Sequence, residues 1–235
     1  MRTYSSLTPI LILSMFLLNQ SKSSNAAFQS KQINPIKRLT KLYLSKDISN
    51  KAKSHFENTN ILLTGATGGL GRSLALKFAS SNVNKLVLTG RDDEKLQTIA
   101  SECRSMKSKH NDTSSLEIIT IPCDLSNMNQ VRTLSEQVQN LSIDIFIHGG
   151  GLSSRSKFID TDISVDQLLM NVNFLSGAMI SKHVVPGMVE RGNGNIMFVS
   201  SIQGLLGIPY RTSYAASKFA VQGYCEALRA ELATR

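Results

Sequence analysis

A short apolar run that stops at a cluster of glycines constrains this chain more than any other feature. Ile61-Leu62-Leu63-Thr64 leads into Thr64-Gly65-Ala66-Thr67-Gly68-Gly69-Leu70-Gly71. Glycines let a backbone turn tightly and approach a pyrophosphate, and the helix that follows offers its N-terminal amides and a favourable dipole. No Gly-Lys-Ser/Thr follows the cluster, which separates it from a nucleoside-triphosphate loop. Beyond it, strand and helix signals alternate. Helical spacing covers Ser73 to Ser80, a buried strand Lys85 to Thr89, a polar helix Asp92 to Lys107 and a third strand Leu116 to Ile121. Ser126 is placed to cap a helix over Asn127 to Asn140. Ile143 to Ile147 reads as a fourth strand, apolar throughout, as expected when both faces of a sheet are covered. A long helix spans Val165 to Arg191, with Pro186 expected to kink or divide it near its end. Asn195 to Ser200 is a fifth strand and Ser213 to Ala233 the last helix. This alternation implies an α/β fold with a doubly wound parallel sheet.

The net charge of +9 is unevenly spread. Residues 1–59 hold nine Lys/Arg and two Asp/Glu, whereas residues 60–235 hold seventeen and fifteen. The basic excess belongs to the leader, which argues against nucleic acid as a partner, since phosphate binding needs a basic face on the folded part. Cys103, Cys123 and Cys225 are scattered, with no CxxC and no zinc spacing, and read as reduced thiols. The four histidines show no metal-ligand pattern, so no metal site is expected.

Residues 1–27 read as a secretory signal peptide or an uncleaved signal anchor. Arg2 precedes the apolar run Leu7 to Leu18, which is short for a spanning helix of roughly 20 residues but suits a signal h-region. Small residues at Ser24, Asn25, Ala26 and Ala27 allow cleavage there. Residues 28–59 are a basic leader or linker, and the folded domain is expected over 60–235. Phe28 to Lys46 carries five Lys/Arg and no acid. That pattern resembles the bipartite plastid leaders of algae with secondary plastids. The other reading is a linker beside an endoplasmic-reticulum anchor, which offers a route to membrane association.

Chemistry concentrates near the C-terminal end. Tyr214 and Lys218 lie four residues apart, on one face of the last helix, and Ser201 lies thirteen residues before the tyrosine. A lysine beside a phenol favours the phenolate, which can exchange a proton with an alcohol or carbonyl near neutral pH. A serine hydroxyl brought to the same point can hold the substrate oxygen. In a dinucleotide-binding unit an acid at the end of the second strand would bind a ribose 2′-hydroxyl, whereas arginine suits a 2′-phosphate. Thr89-Gly90-Arg91 therefore favours NADP(H) over NAD(H), with Arg72 a second candidate and Asp92 placed to soften the preference.

Together these motifs resemble the short-chain dehydrogenase/reductase family. The resemblance covers about residues 60–235, through Thr64-Gly65-x-x-x-Gly69-x-Gly71, Asp124, Asn173, Ser201 and Tyr214-x-x-x-Lys218. It implies a Rossmann-type fold in which Tyr214 is the general acid/base and Lys218 supports it and holds the nicotinamide ribose. Ser201 would orient the substrate oxygen, and Asn173 would help position a water in a proton relay. Thr64, Gly65, Gly69, Leu70, Gly71, Arg91, Asp124, Leu125 and Gly149 would complete the cofactor site, with Asp124 at the adenine. The family's usual Asn-Asn-Ala-Gly is replaced by His148-Gly149-Gly150-Gly151, where His148 is expected to be a packed or hydrogen-bonded substitute. Gly150 to Ser156, Asn173 to Arg191 and Ser200 to Gly204 resemble the dehydrogenase/reductase member 7 type, which implies a small lipophilic carbonyl or alcohol substrate, steroid- or retinoid-like. The alternatives are a plastid 3-oxoacyl-carrier-protein reductase and an inactive nucleotide-binding protein. Family members continue past the catalytic helix with further strands and a substrate lid, so the sheet is expected to be C-terminally incomplete here. A full-length form is expected to be a homo-oligomer.

Overall fold

The structure, a computed structural model, describes residues 56–108 and 116–233. The expected signal and most of the expected basic leader lie outside the described residues. Five strands form one parallel sheet: β1 Asn60–Thr64, β2 Lys85–Gly90, β3 Glu117–Pro122, β4 Ile145–His148 and β5 Asn195–Phe198. Their spatial order is β3-β2-β1-β4-β5, so the chain runs outward from β1 to one edge and then returns to build the other. The connecting helices are α1 Gly69–Ala79, α2 Asp93–Ser108, α3 Met128–Gln139, α4 Ile163–Met170, α5 Ser176–Glu190 and α6 Thr212–Leu232.

The period of two along each strand divides the core into two layers. Ile61 and Leu63 pair in register with Leu86 and Leu88, and with Ile145 and Ile147. They pack with Ala75, Phe78, Leu96 and Ile99 of α1 and α2. Leu62, Val87 and Phe146 face the other way, onto Val131 and Leu134 of α3 and Ile180 and Val184 of α5. The β1 and β2 residues in this list are fully buried. Each such side chain stabilises the fold by about 1.5–3 kcal/mol relative to exposure. Just ahead of β1, Phe56 packs edge-on against Phe78 with ring centroids 5.2 Å apart.

Several boundaries differ from the sequence expectation. α1 begins at Gly69, so Gly69 and Gly71 belong to the helix rather than to the turn before it. The cap of α3 is Asn127 and not Ser126. Ser126 gives both its N–H and its hydroxyl to Asp124 Oδ1, at 3.0 and 2.9 Å, which leaves Asn127 Oδ1 to accept from Asn129 and Gln130. The expected helix from Val165 to Arg191 is interrupted, but not at Pro186. Pro186 sits inside α5 on its exposed side. The break is a π turn, Asn171–Leu175, between α4 and α5. β4 lies at Ile145–His148 and so includes His148, whereas β5 ends at Phe198, before the two serines.

Candidate active site

Ligands of open parallel sheets bind beyond the strands' C-terminal ends, where the strand order reverses. Here that point lies between β1 and β4. β1 delivers Thr64 and the glycine turn to it, and β4 delivers Gly149, Gly150 and Gly151.

Gly65 has φ +70°, and a Cβ there would stand 2.7 Å from Gly150 Cα, so only glycine fits. A Cβ at Gly71 would strike the Gly65 carbonyl. Gly69 differs, because a Cβ there meets nothing within 4 Å. The turn is thus packed behind and open in front. α1 starts without a side-chain cap or an acid in its first turn, so its N-terminal amides face that space unshared. The exposed Leu70 follows Gly69 at the same helix end. These residues fit the pyrophosphate of a dinucleotide.

The two arginine candidates separate. Arg72 makes a two-pronged pair with Glu102, Nε to Oε2 at 2.9 Å and Nη2 to Oε1 at 2.8 Å. Arg91 is exposed at the end of β2, with no hydrogen bond or ion pair among the described residues. Asp92 is committed elsewhere: it accepts from Lys95 N at 3.0 Å and pairs with Lys95 Nζ at 2.8 Å, which holds its carboxyl below the usual range. Its carboxylate serves the start of α2. Asp124 also has a local duty, closing the turn before α3. The buried Leu125 presses its side chain on Gly150.

A cleft of about 220 Å³ opens beside this turn, lined by Gly149, Gly150, Gly151, Leu152, Ser153, Val199, Ser200, Tyr214 and Lys218. Tyr214 and Lys218 reach it together because they share a face of α6. Lys218 is buried and donates from Nζ to the Val199 carbonyl at 2.9 Å. Burial lowers its ammonium to about 8. Its Nζ lies 5.7 Å from the Tyr214 ring centre, and the Arg211 guanidinium lies 6.0 Å from the same ring. Arg211 also donates to the Ser154 carbonyl at 2.9 Å, tying the cleft's rim to the tyrosine.

Asn173, fully buried in the π turn, forms the cleft's support rather than its lining. Its Oδ1 accepts from Leu152 N at 2.7 Å, and its Nδ2 donates to Leu152 O and Ser217 Oγ, both at 2.9 Å. Ser217 in turn donates to the Tyr214 carbonyl at 2.8 Å, which joins Asn173 to α6. Ser201 stands one residue beyond the lining, as the cap of a 3-10 turn at Ile202–Gly204, and accepts from Gln203 N at 3.2 Å. Its neighbour Ser200 lines the cleft with a buried hydroxyl that has no partner among the described residues.

Sequence reading missed Ser200, Ser217, Arg211 and Val199. Ser217 was visible inside Tyr214-Ala215-Ala216-Ser217-Lys218. Val199 acts through its carbonyl, which leaves no mark on residue type.

The family model for short chain dehydrogenase matches residues 59–235. Dehydrogenase/reductase SDR family member 7B of Xenopus laevis is 33% identical over 184 residues, covering 77% of this chain and 56% of the relative. A dehydrogenase/reductase SDR family protein 7-like of Anopheles gambiae is 35% identical over 181 residues, covering 76% and 56%. The chain therefore spans little more than half the length of these relatives. Among solved structures, a metagenomic short-chain oxidoreductase in complex with NADP superposes with TM-score 0.68 at 23% identity, covering 76% of this chain and 78% of that one. A structure described as a putative betaketoacyl-ACP reductase gives 0.67 at 24%, covering 76% and 69%. These last two share the fold. With the glycine turn, the buried Asn173 and the Tyr214/Lys218 cleft in place on a parallel sheet of this order, the chain belongs to the short-chain dehydrogenase/reductase family.

Proposed function

We propose that this chain carries the cofactor site and proton-transfer site of an NADP(H)-dependent oxidoreductase that interconverts a carbonyl and an alcohol. The observation that carries the reading is the cleft itself, where Tyr214 and Lys218 meet the glycine loop at 149–151 beyond the sheet's C-terminal edge. A nicotinamide cofactor, when bound, supplies or takes up the hydride. The rest of the chemistry belongs to the chain. Tyr214 gives its phenolic proton to the oxygen of a carbonyl substrate, or takes one from an alcohol. Lys218, buried and held by the Val199 carbonyl, sets its ammonium beside the Tyr214 ring. Ser201 and the neighbouring Ser200 offer hydroxyls that hold the substrate oxygen. Asn173 keeps the cleft wall at Leu152 in place.

Arg91 supports the choice of NADP(H), because its guanidinium is uncommitted where a 2′-phosphate would lie and Asp92 is occupied. Exposed Leu205, Leu206, Ile208 and Tyr210, on the segment joining the Ser201 turn to α6, support a lipophilic substrate of the steroid or retinoid kind. The apolar run Leu7 to Leu18, behind Arg2, supports delivery to the endoplasmic reticulum or its membrane. No described helix is long and apolar enough to cross a membrane.

Tyr214→Phe tests the reading. Turnover on a panel of steroid, retinoid and acetoacetyl-thioester carbonyls should fall by about 10²- to 10⁴-fold, the usual worth of a general acid. NADPH affinity, measured by fluorescence titration, should stay within about twofold. Near-normal turnover in the variant would sink the mechanism. Activity confined to the thioester would replace the lipophilic substrate with an acyl carrier.

A further inference from the structure

We infer that His148 is a positioning residue, whose buried ring couples the glycine loop of the cofactor side to the turn that carries Asn173. His148 ends β4 and is 1% exposed, packed between Phe146 and Phe198. Its Nε2 lies 3.1 Å from the Val172 carbonyl. A carbonyl only accepts, so Nε2 carries the ring proton and Nδ1 is left as an acceptor. Nδ1 lies 2.9 Å from Thr64 Oγ1, which must then donate to it. That direction leaves the threonine oxygen's lone pairs for the Gly150 N–H at 3.3 Å.

The result is a one-way chain of hydrogen bonds. It runs from the Gly150 amide to the Thr64 hydroxyl, to the imidazole, to the Val172 carbonyl. The residue after Val172 is Asn173, which grips both backbone groups of Leu152. Segment 149–152 is therefore pinned at one end through Thr64 and His148, and at the other by Asn173. Both pins converge on the π turn. Burial keeps the imidazole neutral by lowering it to about 4, so the polarity of the chain holds at neutral pH. Gly177 packs against the ring, since a Cβ there would come within 2.8 Å of His148 Cγ. His148 touches neither substrate nor cofactor. It sets the wall on which both rest.

Two conservative replacements divide the bridge. Asparagine ends near the Nδ1 position, so His148→Asn keeps Thr64 and releases Val172. Glutamine reaches further, so His148→Gln keeps Val172 and releases Thr64. The measurements are amide hydrogen exchange of the full chain, NADPH affinity and steady-state turnover. For His148→Asn, exchange at 171–177 should quicken about tenfold, the size of one lost hydrogen bond. Gly150 exchange and NADPH affinity should stay within about twofold while kcat falls. For His148→Gln the pattern should reverse: Gly150 exchanges faster and NADPH binds more weakly, with 171–177 unchanged. Should either variant fail to fold, Thr64→Val breaks the chain at its other member and should free Gly150 alone. Equal loosening of both segments by both His148 variants overturns the coupling, as does no change in either. The kinetic arm rests on the oxidoreductase reading. A parent protein without turnover on any carbonyl would refute that reading, and the exchange arm would still decide the bridge.

Discussion

Arg91 and Arg72 show how two like residues near one site acquire different duties. Both are cations within reach of the cofactor end of the sheet, and the sequence ranks them only by position. The structure separates them by partner, since Glu102 holds Arg72 with both prongs and Arg91 has no partner among the described residues. Arg91→Asp should therefore raise the KM for NADPH by at least about tenfold, as one charge-assisted contact is worth roughly 1.5–3 kcal/mol. The KM for NADH should change little. Equal changes for the two cofactors would remove Arg91 from the specificity site. Gly65 makes the complementary case. A side chain there meets both a left-handed φ and the backbone of Gly150. Gly65→Ala should lower the melting temperature and weaken NADPH binding together, by more than the 1–2 kcal/mol that left-handed strain alone costs. The glycine was legible because conformational need leaves a mark on residue type. Arg72's engagement was not, because Glu102 is thirty residues away and nothing in the local sequence joins them.

At the scale of elements, strands were the most legible parts and helix ends the least. β1, β2 and β4 are buried on both faces, so their apolar runs announce them. The start of α3 was ambiguous because Ser126 and Asn127 are both good caps, and Asp124 decides by taking Ser126 for itself. Asn127→Ala should then cost about 1 kcal/mol of stability in denaturant unfolding, and Ser126→Ala less. The reverse order would restore Ser126 as the cap. The π turn left no sign either. A bond from residue i to i+5 uses the same residue types as an α-helix, and Pro186 drew attention to the wrong place. Yet that turn buries Asn173 and presents the Val172 carbonyl to His148. Sequence spacing put Tyr214 and Lys218 on one face of a helix, as α6 has them, because a four-residue interval on a helix is a geometric fact. It left Ser201 less well placed, because a 3-10 turn sets where that hydroxyl points.

For the molecule as a whole, the seam between β1 and β4 joins the two halves of the sheet through Thr64 and His148. A neutral histidine at that seam makes the fold sensitive to acid. Its folded value is about 4 against an ordinary 6.5, with burial the main cause and the Lys218 charge a lesser one. The unfolded chain therefore takes up a proton first, and this contribution to stability is lost as pH falls from 6.5 towards 4. Unfolding midpoints in denaturant should drop across that window. His148→Asn should flatten the drop, and an identical slope in parent and variant would place the acid sensitivity elsewhere.

The π turn at Asn171–Leu175 has a consequence at the level of the gene. It accommodates one residue more than an α-helix of the same rise, and each helical residue advances by about 100°. Loss of a single codon in that stretch would leave the reading frame and the apolar composition of the helix intact. The wide turn would close to an α-helical one, leaving Ile180, Val184 and Met188 over the sheet they cover but withdrawing the bulge that presents Val172 and Asn173. The packing of α5 thus tolerates the loss of one residue, whereas the bonds of Val172 to His148 and of Asn173 to Leu152 do not.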